Sequence, residues 1–351
     1  MKYFYALLVL APVALIMELV GIGSHAAVFV VSALAMVPLA AVLGRATEEV
    51  AVYTGPKIGG LLNATLGNAA ELIITIVALR EGLTEVVKAS IAGSIIGNIL
   101  VVLGASFVVG GLRHGTQSFD ARNAGVNATM LALAVVALAL PAVFALGDET
   151  IRPSEHDIER LSDGMAFVLI AIYAFYILYT LRGSDTAESD VAEHGPHTMK
   201  LPLALGLLAG STIAIVVMSE VLVGAIEPTA EDWGLTELFI GVMLIPLVGN
   251  VAEHFVAVQV AAANKMDLSL NIAVGSGLQI ALFVTPVLVL IGWAIGTPMT
   301  LVFNSYELAA LIGATLIAVL ISVDGESNWL EGAQLLALYA VLGLAFYFVP
   351  G

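Results

Sequence analysis

The sequence predicts an all-α membrane protein with about eleven transmembrane helices. Of its 351 residues, 60% are hydrophobic and only 11% are charged, whereas about a quarter of the residues in a soluble domain are charged. Unbroken apolar runs of about twenty residues, such as 124–146, have the length of a membrane-spanning helix. They lack the alternating polarity of a membrane β-barrel, so the spanning elements are predicted to be helices.

The net charge and the absence of cysteine narrow the possible functions. The chain has 12 Lys and Arg residues against 28 Asp and Glu residues, which gives a net charge of −16. A negative chain repels nucleic acid, so we exclude nucleic acid as a partner and expect cations as ligands. Without cysteine there is no disulfide and no thiolate metal site, which leaves oxygen atoms and histidine as candidate ligands. No cofactor is expected.

Short polar connections separate the apolar runs, and the positive charges in these connections predict an orientation. The runs cover residues 3–20, 26–46, 58–79, 86–110, 122–146, 161–181, 201–226, 237–262, 268–293, 301–322 and 331–349. On the side of the N-terminus lie Lys2, Arg45, Lys57, Arg113, Arg122, Arg182, Lys200 and Lys265, and on the other side lie Arg80, Lys88, Arg152 and Arg160. The excess of Lys and Arg on the side of the N-terminus predicts that the N-terminus is cytoplasmic and the C-terminus external.

Two segments fall outside the pattern of regular spans. The first apolar run follows Lys2 and ends in small residues, as a signal peptide does, but Glu18 and its length favour a retained helix. The stretch 183–200 is acidic, and we interpret it as a cytoplasmic linker that acts as a solvated tether or as a cation sensor. The predicted organisation is an extra helix in 1–22, five helices in 23–182, the linker in 183–200 and five helices in 201–351.

An internal repeat relates the two groups of five helices. At an offset of 182 residues, the sequence GNAAE at 67–71 lies on GNVAE at 249–253, and Gly-Ser at 93–94 lies on Gly-Ser at 275–276 without a gap. Because each group has an odd number of spans, the second group enters the membrane from the opposite side. An inverted repeat of this kind is typical of secondary transporters, whose binding site lies near the membrane midplane.

Glu71 and Glu253 lie within apolar runs, where a carboxylate costs about 2.5 to 3.5 kcal/mol. A structural ion pair, a proton relay, a cation site and a catalytic carboxylate pair are the possible reasons. The neighbouring runs offer no central Lys or Arg for an ion pair. An intramembrane hydrolase of the aspartyl type would need two aspartates, so we predict that the chain is not an enzyme.

Further oxygen atoms surround the two glutamates in the sequence. Asn68 and Asn250 precede the glutamates by three residues, which places each amide on the helical face of its carboxylate. Gly67 and Gly249 are predicted to relax the helix so that carbonyl groups turn toward a cavity. The remaining candidates that line the cation path are Ser94, Ser276, Asn98 and Gln279. An all-oxygen set suits Ca²⁺ better than Mg²⁺, which dehydrates reluctantly, or Zn²⁺.

Three residues have two open interpretations each. His254 replaces Leu72 of the first repeat, and it acts either as a proton-linked switch or in a hydrogen bond between helices. Thr47-Glu48 corresponds to Ser219-Glu220 in an alignment that needs a gap. Glu48 and Glu220 are therefore either an entrance relay for ions or solvated charges at helix ends.

At these residues the chain resembles the calcium/cation-proton antiporter family of the cation/calcium exchanger superfamily. The first signature is similar to GLLNATLGNAAELIITIVALREGL at 60–83 with IAGSIIGNILVVLG at 91–104, and the second is similar to the stretch 249–293. The resemblance implies exchange of Ca²⁺ for H⁺ by alternating access, with Glu71 and Glu253 as the central carboxylates. A sodium-coupled calcium exchanger on the same scaffold and a calcium channel are the alternatives.

The resemblance also implies the surroundings of the protein. His254 and Gln279 are more similar to the proton-coupled branch than to the sodium-coupled one. The long N-terminal extension of vacuolar plant members is absent from this sequence, so a cell membrane is expected. The expected partners are Ca²⁺, protons and the lipid bilayer, and a homo-oligomer is compatible with the sequence.

Overall fold

The first half of the chain is almost entirely helical in the computed structural model, which describes residues 6–145, 153–182 and 199–349. Most of the predicted linker, residues 183–198, lies outside the described residues. After a 3₁₀ turn at Leu7–Val9, the elements are α1 (Leu10–Val20), α2 (His25–Leu66), α3 (Ala69–Arg80), α4 (Thr84–His114), β1 (Gln117–Ser118), α5 (Ala121–Ala145) and α6 (Glu155–Arg182).

The second half is built in the same way. Its elements are α7 (Leu201–Gly224), α8 (Ile226–Trp233), α9 (Glu237–Gly249), α10 (Val251–Ala262), α11 (Met266–Ile295), α12 (Ser305–Ile321), β2 (Glu326–Ser327) and α13 (Trp329–Phe348). Within the described ranges, 7 helices are long and apolar enough to cross a membrane, or 8 if the bent pair α8 and α9 counts as one span. The protein is thus a nearly all-helical membrane protein of many spans, and every predicted apolar run contains helix.

The two runs that carry the glutamates are interrupted. In α2 the backbone of Gly55 has φ 80° and ψ 168°, so residues 56–66 form a separate segment, here called the short arm. The short arm ends before Asn68, whose φ of −95° and ψ of 23° are not helical, and α3 begins at the next residue. Asn250, with φ −95° and ψ 4°, separates α9 from α10 in the same way. Neither run is a continuous helix.

The helix bounds repeat at the offset of 182 that the sequence shows. The bounds of α3, Ala69–Arg80, fall on those of α10, Val251–Ala262. A π-helical turn at Asn98–Val102 of α4 falls on a π-helical turn at Ile280–Val284 of α11. Because a π turn inserts a residue into a helix, it changes the face that the following residues present. Both halves therefore redirect the same helix at the same position.

The helices α4 and α11 lie at the centre of the bundle. Of their most apolar windows, 72% and 56% are buried, as is 61% of that of α2, against 22% for each of α6 and α7. The two central helices cross where a Cβ placed on Gly277 would lie 3.9 Å from the Cβ of Asn98. The outer helices instead expose large apolar side chains such as Phe175 and Ile213, as expected for a surface that contacts lipid.

Polar contacts at the helix ends fix the connections. β1 pairs antiparallel with β2, and the buried Gln117 donates through Nε2 to the carbonyl of Ala261 at 3.1 Å. Asn304 and Glu307 form a capping box at the start of α12. These contacts tie the ends of α4 and α10 together and fix the start of α12, and they give Asn304 and the buried Glu307 a structural role.

A close contact between α13 and α4 yields a test of the packing. A Cβ on Gly332 would lie 2.5 Å from the carbonyl oxygen of Gly104 and 2.7 Å from the Cβ of Phe107. We expect Gly332→Ala to lower the stability by about 1–3 kcal/mol, since the helices must move apart. Thermal unfolding of the purified protein in detergent measures this loss. Gly313→Ala is the control, because a Cβ there would meet nothing within 4 Å. Equal melting temperatures for the two variants would contradict the packing.

Candidate functional site

Glu71 and Glu253 both lie in the first turn of a helix that follows a break. Glu71 belongs to α3 and is 6% exposed, and Glu253 belongs to α10 and is half-buried. The sequence predicts that the helices relax at Gly67 and Gly249, and this position is wrong. Gly67 has the helical dihedral angles φ −54° and ψ −45°, and the two helices break one residue later, at Asn68 and Asn250. Asparagine tolerates these dihedral angles, and its amide is held by partners on other helices. The negative carboxylates lie at helix N-termini, where the helix dipole favours them.

The glycines before the breaks give room to the opposite glutamate. A Cβ on Gly249 would lie 3.2 Å from Oε1 of Glu71, and a Cβ on Gly67 would lie 3.5 Å from Oε1 of Glu253. Each carboxylate of one half thus lies against the glycine that precedes the break in the other half. The fold brings both carboxylates to one place where the two halves meet.

Each asparagine at a break is hydrogen-bonded to a serine of the other half. Asn250 donates through Nδ2 to Oγ of Ser94 at 3.1 Å, and Ser276 donates through Oγ to Oδ1 of Asn68 at 3.2 Å. All four side chains are buried. The bonds connect the break before α10 with α4 and the break before α3 with α11, so the same contact is made twice, once from each half.

The remaining amides extend this network on one side only. Asn98 donates through Nδ2 to Oγ of Ser276 at 3.2 Å, and Asn68 donates through Nδ2 to Oε1 of Gln279. At the repeat offset, Asn98 corresponds to Ile280 and Gln279 corresponds to Gly97. Ser276 therefore bonds two amide side chains, whereas Ser94 has one such bond among the described residues.

Four oxygen atoms at this centre are buried and have no hydrogen-bond partner in the part of the chain that the structure describes. They are Oε1 of Glu71, Oε2 of Glu253, Oδ1 of Asn98 and Oδ1 of Asn250. A buried oxygen without a partner costs about 1–3 kcal/mol. The described residues contain no group of three or more His, Asp or Glu residues that could hold a metal ion. The unpartnered oxygen atoms at this centre belong to two carboxylates and two amides.

His254, Glu48 and Glu220, which have two interpretations each, lie at the edge of this centre or on the surface. Nε2 of His254 is buried and makes no hydrogen bond within the described ranges, so the bond between helices is not formed through this atom. Glu48 and Glu220 are exposed on α2 and α7, whereas every side chain of the central network is buried or half-buried. Their roles remain predictions.

The sequence patterns do not reveal which polar groups bind each other. The pairing of each asparagine with the serine of the other half, and the contact of each glycine with the opposite glutamate, depend on how the halves meet. The sequence does show that the Gly-Asn and Gly-Ser pairs repeat at the same offset of 182 residues. This shared offset indicates that the two kinds of pair belong to one site.

Comparison with known proteins places the chain among ion exchangers. The family model described as sodium/calcium exchanger protein matches residues 24–182 and 203–348. The chain is 47% identical to a Ca²⁺/H⁺ antiporter of Aphanothece halophytica, over 99% of this chain and 96% of the relative. It is 42% identical to the Ca²⁺/H⁺ antiporter ChaA of Bacillus subtilis, over 99% of each chain. The solved structure of native YfkE superposes with a TM-score of 0.86 at 40% identity, over 99% of this chain and 100% of that one.

The unequal bonding of the two serines gives a prediction for stability. We expect Ser276→Ala to destabilise the protein more than Ser94→Ala. The first change removes a hydrogen-bond partner of two buried amides, Asn98 and Asn68, whereas the second removes one partner of Asn250, whose Nδ2 still donates to the carbonyl of Pro246. Each lost partner costs about 1–3 kcal/mol. Thermal unfolding of both variants in the same detergent, without added divalent cations, gives the comparison. A larger loss for Ser94→Ala would contradict the network.

Proposed function

This chain belongs to the sodium/calcium exchanger protein family and, within it, to the calcium/cation-proton antiporters, and we propose that it exchanges Ca²⁺ for H⁺ across a membrane as a secondary active transporter. The names of its relatives support this substrate pair, since they are Ca²⁺/H⁺ antiporters at 47% and 42% identity over nearly their whole length. The observation that carries the proposal is the set of four unpartnered buried oxygen atoms contributed by both halves.

The chemistry of these atoms favours Ca²⁺ as the transported ion. Glu71 and Glu253 supply the charge that balances a divalent cation, while Asn98 and Asn250 supply neutral oxygen atoms. Ca²⁺ accepts six to eight oxygen ligands in flexible geometry, and Mg²⁺ demands a stricter octahedron. We assign Asn68, Ser94, Ser276 and Gln279 to the path around the two carboxylates, because they form the hydrogen-bond network that surrounds them.

Protons compete with Ca²⁺ at the same carboxylates. Binding of Ca²⁺ requires both carboxylates to be ionised, and bound protons neutralise the same two groups. Two bare negative charges buried in an apolar bundle are costly, so the site changes sides only with Ca²⁺ or with protons bound. Exchange of Ca²⁺ for H⁺ follows from this restriction.

The proposal also covers the architecture of the transporter. Eleven spans form one extra helix and two inverted repeats of five helices, and the carboxylate site lies near the membrane midplane. The N-terminus is cytoplasmic and the C-terminus external, with residues 183–200 as a cytoplasmic linker. Glu48 and Glu220 serve as entrance relays, and His254 acts as a proton-linked switch beside the carboxylates.

Neutralising either central carboxylate tests the site. We expect Glu71→Gln and Glu253→Gln to reduce Ca²⁺ transport in proteoliposomes to background while the protein still folds, because a glutamine keeps the size of the side chain and is easier to bury than a charge. Size-exclusion chromatography and thermal unfolding check the fold. Glu81→Gln, an exposed position at the end of α3, is the matched control and retains transport. Exchange at the wild-type rate in either central variant would overturn the assignment.

The coupling ion has its own test. With an outward-directed proton gradient and without Na⁺ or K⁺, sealed proteoliposomes should accumulate Ca²⁺, and the uptake should stop when the proton gradient is dissipated electroneutrally. Competition also predicts that the concentration of Ca²⁺ for half-maximal transport rises as the pH falls. Uptake that begins only when Na⁺ is supplied inside the vesicles would identify a sodium-coupled exchanger instead.

A further inference from the structure

An open groove lies between the second half of α4 and the helix α10. It has a volume of about 450 Å³, which is within the range of pockets that bind small organic molecules. The residues of α10 that line it are three or four positions apart, so they share one face of the helix. The lining residues used below are Val109 and Arg113 of α4 and Phe255, Val258 and Gln259 of α10.

The two helices run in the same direction along the groove and end together. Nε2 of His114, the last residue of α4, lies 3.0 Å from the carbonyl oxygen of Ala262, the last residue of α10. Arg113 therefore lies at the end of the groove. Val109 lies about one helical turn further inside, and Phe255 lies about two turns before the end of α10.

This placement matches the depth profile of a phospholipid. The helix α4 has 31 residues and is about 46 Å long at the usual rise per residue, whereas the hydrocarbon core of a membrane is about 30 Å thick. Its apolar run ends at residue 110, so Arg113 lies at the level of the lipid headgroups. Phe255 and Val258 lie at the level of the acyl chains.

Arg113 is a cation without a counter-ion in a strongly acidic protein. The chain has a net charge of −16, yet the exposed side chain of Arg113 forms no ion pair and no hydrogen bond within the described ranges. Among the described residues that line the groove, it is the one that carries a charge. Its equivalent in the first repeat is Ile295, so the repeat does not account for the charge. The outer end of the groove therefore favours an anion.

In the first half of the chain, protein covers the equivalent helical face. At the offset of 182, Phe255 and Gln259 correspond to Ile73 and Val77 of α3, and α7 packs along α3. Ile73 is half-buried and Val77 is 5% exposed, whereas Phe255 is 60% exposed and Gln259 is also exposed. The groove thus leaves open an apolar face that the other half buries.

We propose that an anionic phospholipid occupies this groove, with its phosphate group on Arg113 and an acyl chain along Phe255 and Val258. The arginine guanidinium binds phosphate through two parallel hydrogen bonds, and the amide of Gln259 is a further donor beside it. The exposed apolar stripe favours a lipid over a soluble anion, because hydrocarbon removes this stripe from water. The lipid covers α10 as α7 covers α3, and this inference does not depend on which ion is transported.

The charge of Arg113 is tested by lipid binding. Native mass spectrometry of the purified protein in detergent, titrated with phosphatidylglycerol, gives the dissociation constant of the tightest bound lipid. We expect Arg113→Gln to weaken this binding by about fivefold, the contribution of one basic residue beside anionic lipid. Phosphatidylcholine, which has no net charge, should bind more weakly than phosphatidylglycerol. Arg122→Gln is the matched control with unchanged binding, because it removes an exposed cation that does not line the groove.

A second variant tests the apolar part of the groove. Gln259→Trp fills the groove from an exposed position and leaves the net charge unchanged, so it should also weaken binding of phosphatidylglycerol. Because a ligand stabilises the folded state that binds it, phosphatidylglycerol should raise the melting temperature of the unaltered protein more than that of either groove variant. Glycerol phosphate, which carries the phosphate without acyl chains, should not displace the lipid.

The outcomes distinguish a lipid site from general surface charge. Equal weakening by Arg113→Gln and Arg122→Gln, or no weakening by Arg113→Gln, would show that the groove does not select the lipid. Displacement by glycerol phosphate at the concentration of the lipid would identify a site for soluble anions instead. If Gln259→Trp does not fold, the comparison of the two arginine variants decides. Because lipid binding is measured without transport, a failure of Ca²⁺/H⁺ exchange would leave these results unchanged.

Discussion

Two buried carboxylates at the meeting point of the two halves are the constraint on which the rest of this structure depends. Glu71 and Glu253 lie in an apolar bundle, where charge is costly unless a cation or protons neutralise it. The breaks at Asn68 and Asn250 place both groups at helix N-termini, which favour negative charge. Glycines at 67 and 249 leave the space that the opposite carboxylate occupies.

The two halves complete one another instead of forming two separate sites. Each asparagine at a break is held by a serine from the other half, so the start of α3 is tied to α11 and the start of α10 to α4. Separating the halves would break both bonds between an asparagine and a serine. Because both halves contribute to this polar network, the positions of both carboxylates depend on the packing of the central helices α4 and α11.

Close backbone packing is the second organising feature, and it is distributed unequally. Gly93 and Gly241 allow α4 and α9 to touch, whereas a Cβ on Gly275, the equivalent of Gly93, would meet nothing within 4 Å. A molecule built from two similar halves thus holds them in different arrangements.

Much of this molecule could be predicted from the amino-acid sequence, although contacts between distant segments could not. The helical class, the positions of the apolar runs and the resemblance to the calcium/cation-proton antiporters are confirmed by the structure and by the relatives. These features depend on hydropathy and on local motifs, which the sequence contains directly. The sequence predicts that the helices relax at Gly67 and Gly249, whereas the breaks lie at the asparagines and the glycines make room for the opposite carboxylates. By itself, then, the sequence determined the helices, the family and the residues of the candidate site. Only the tertiary structure decided which of them touch, because those contacts join residues far apart in the chain and depend on the packing of all helices at once.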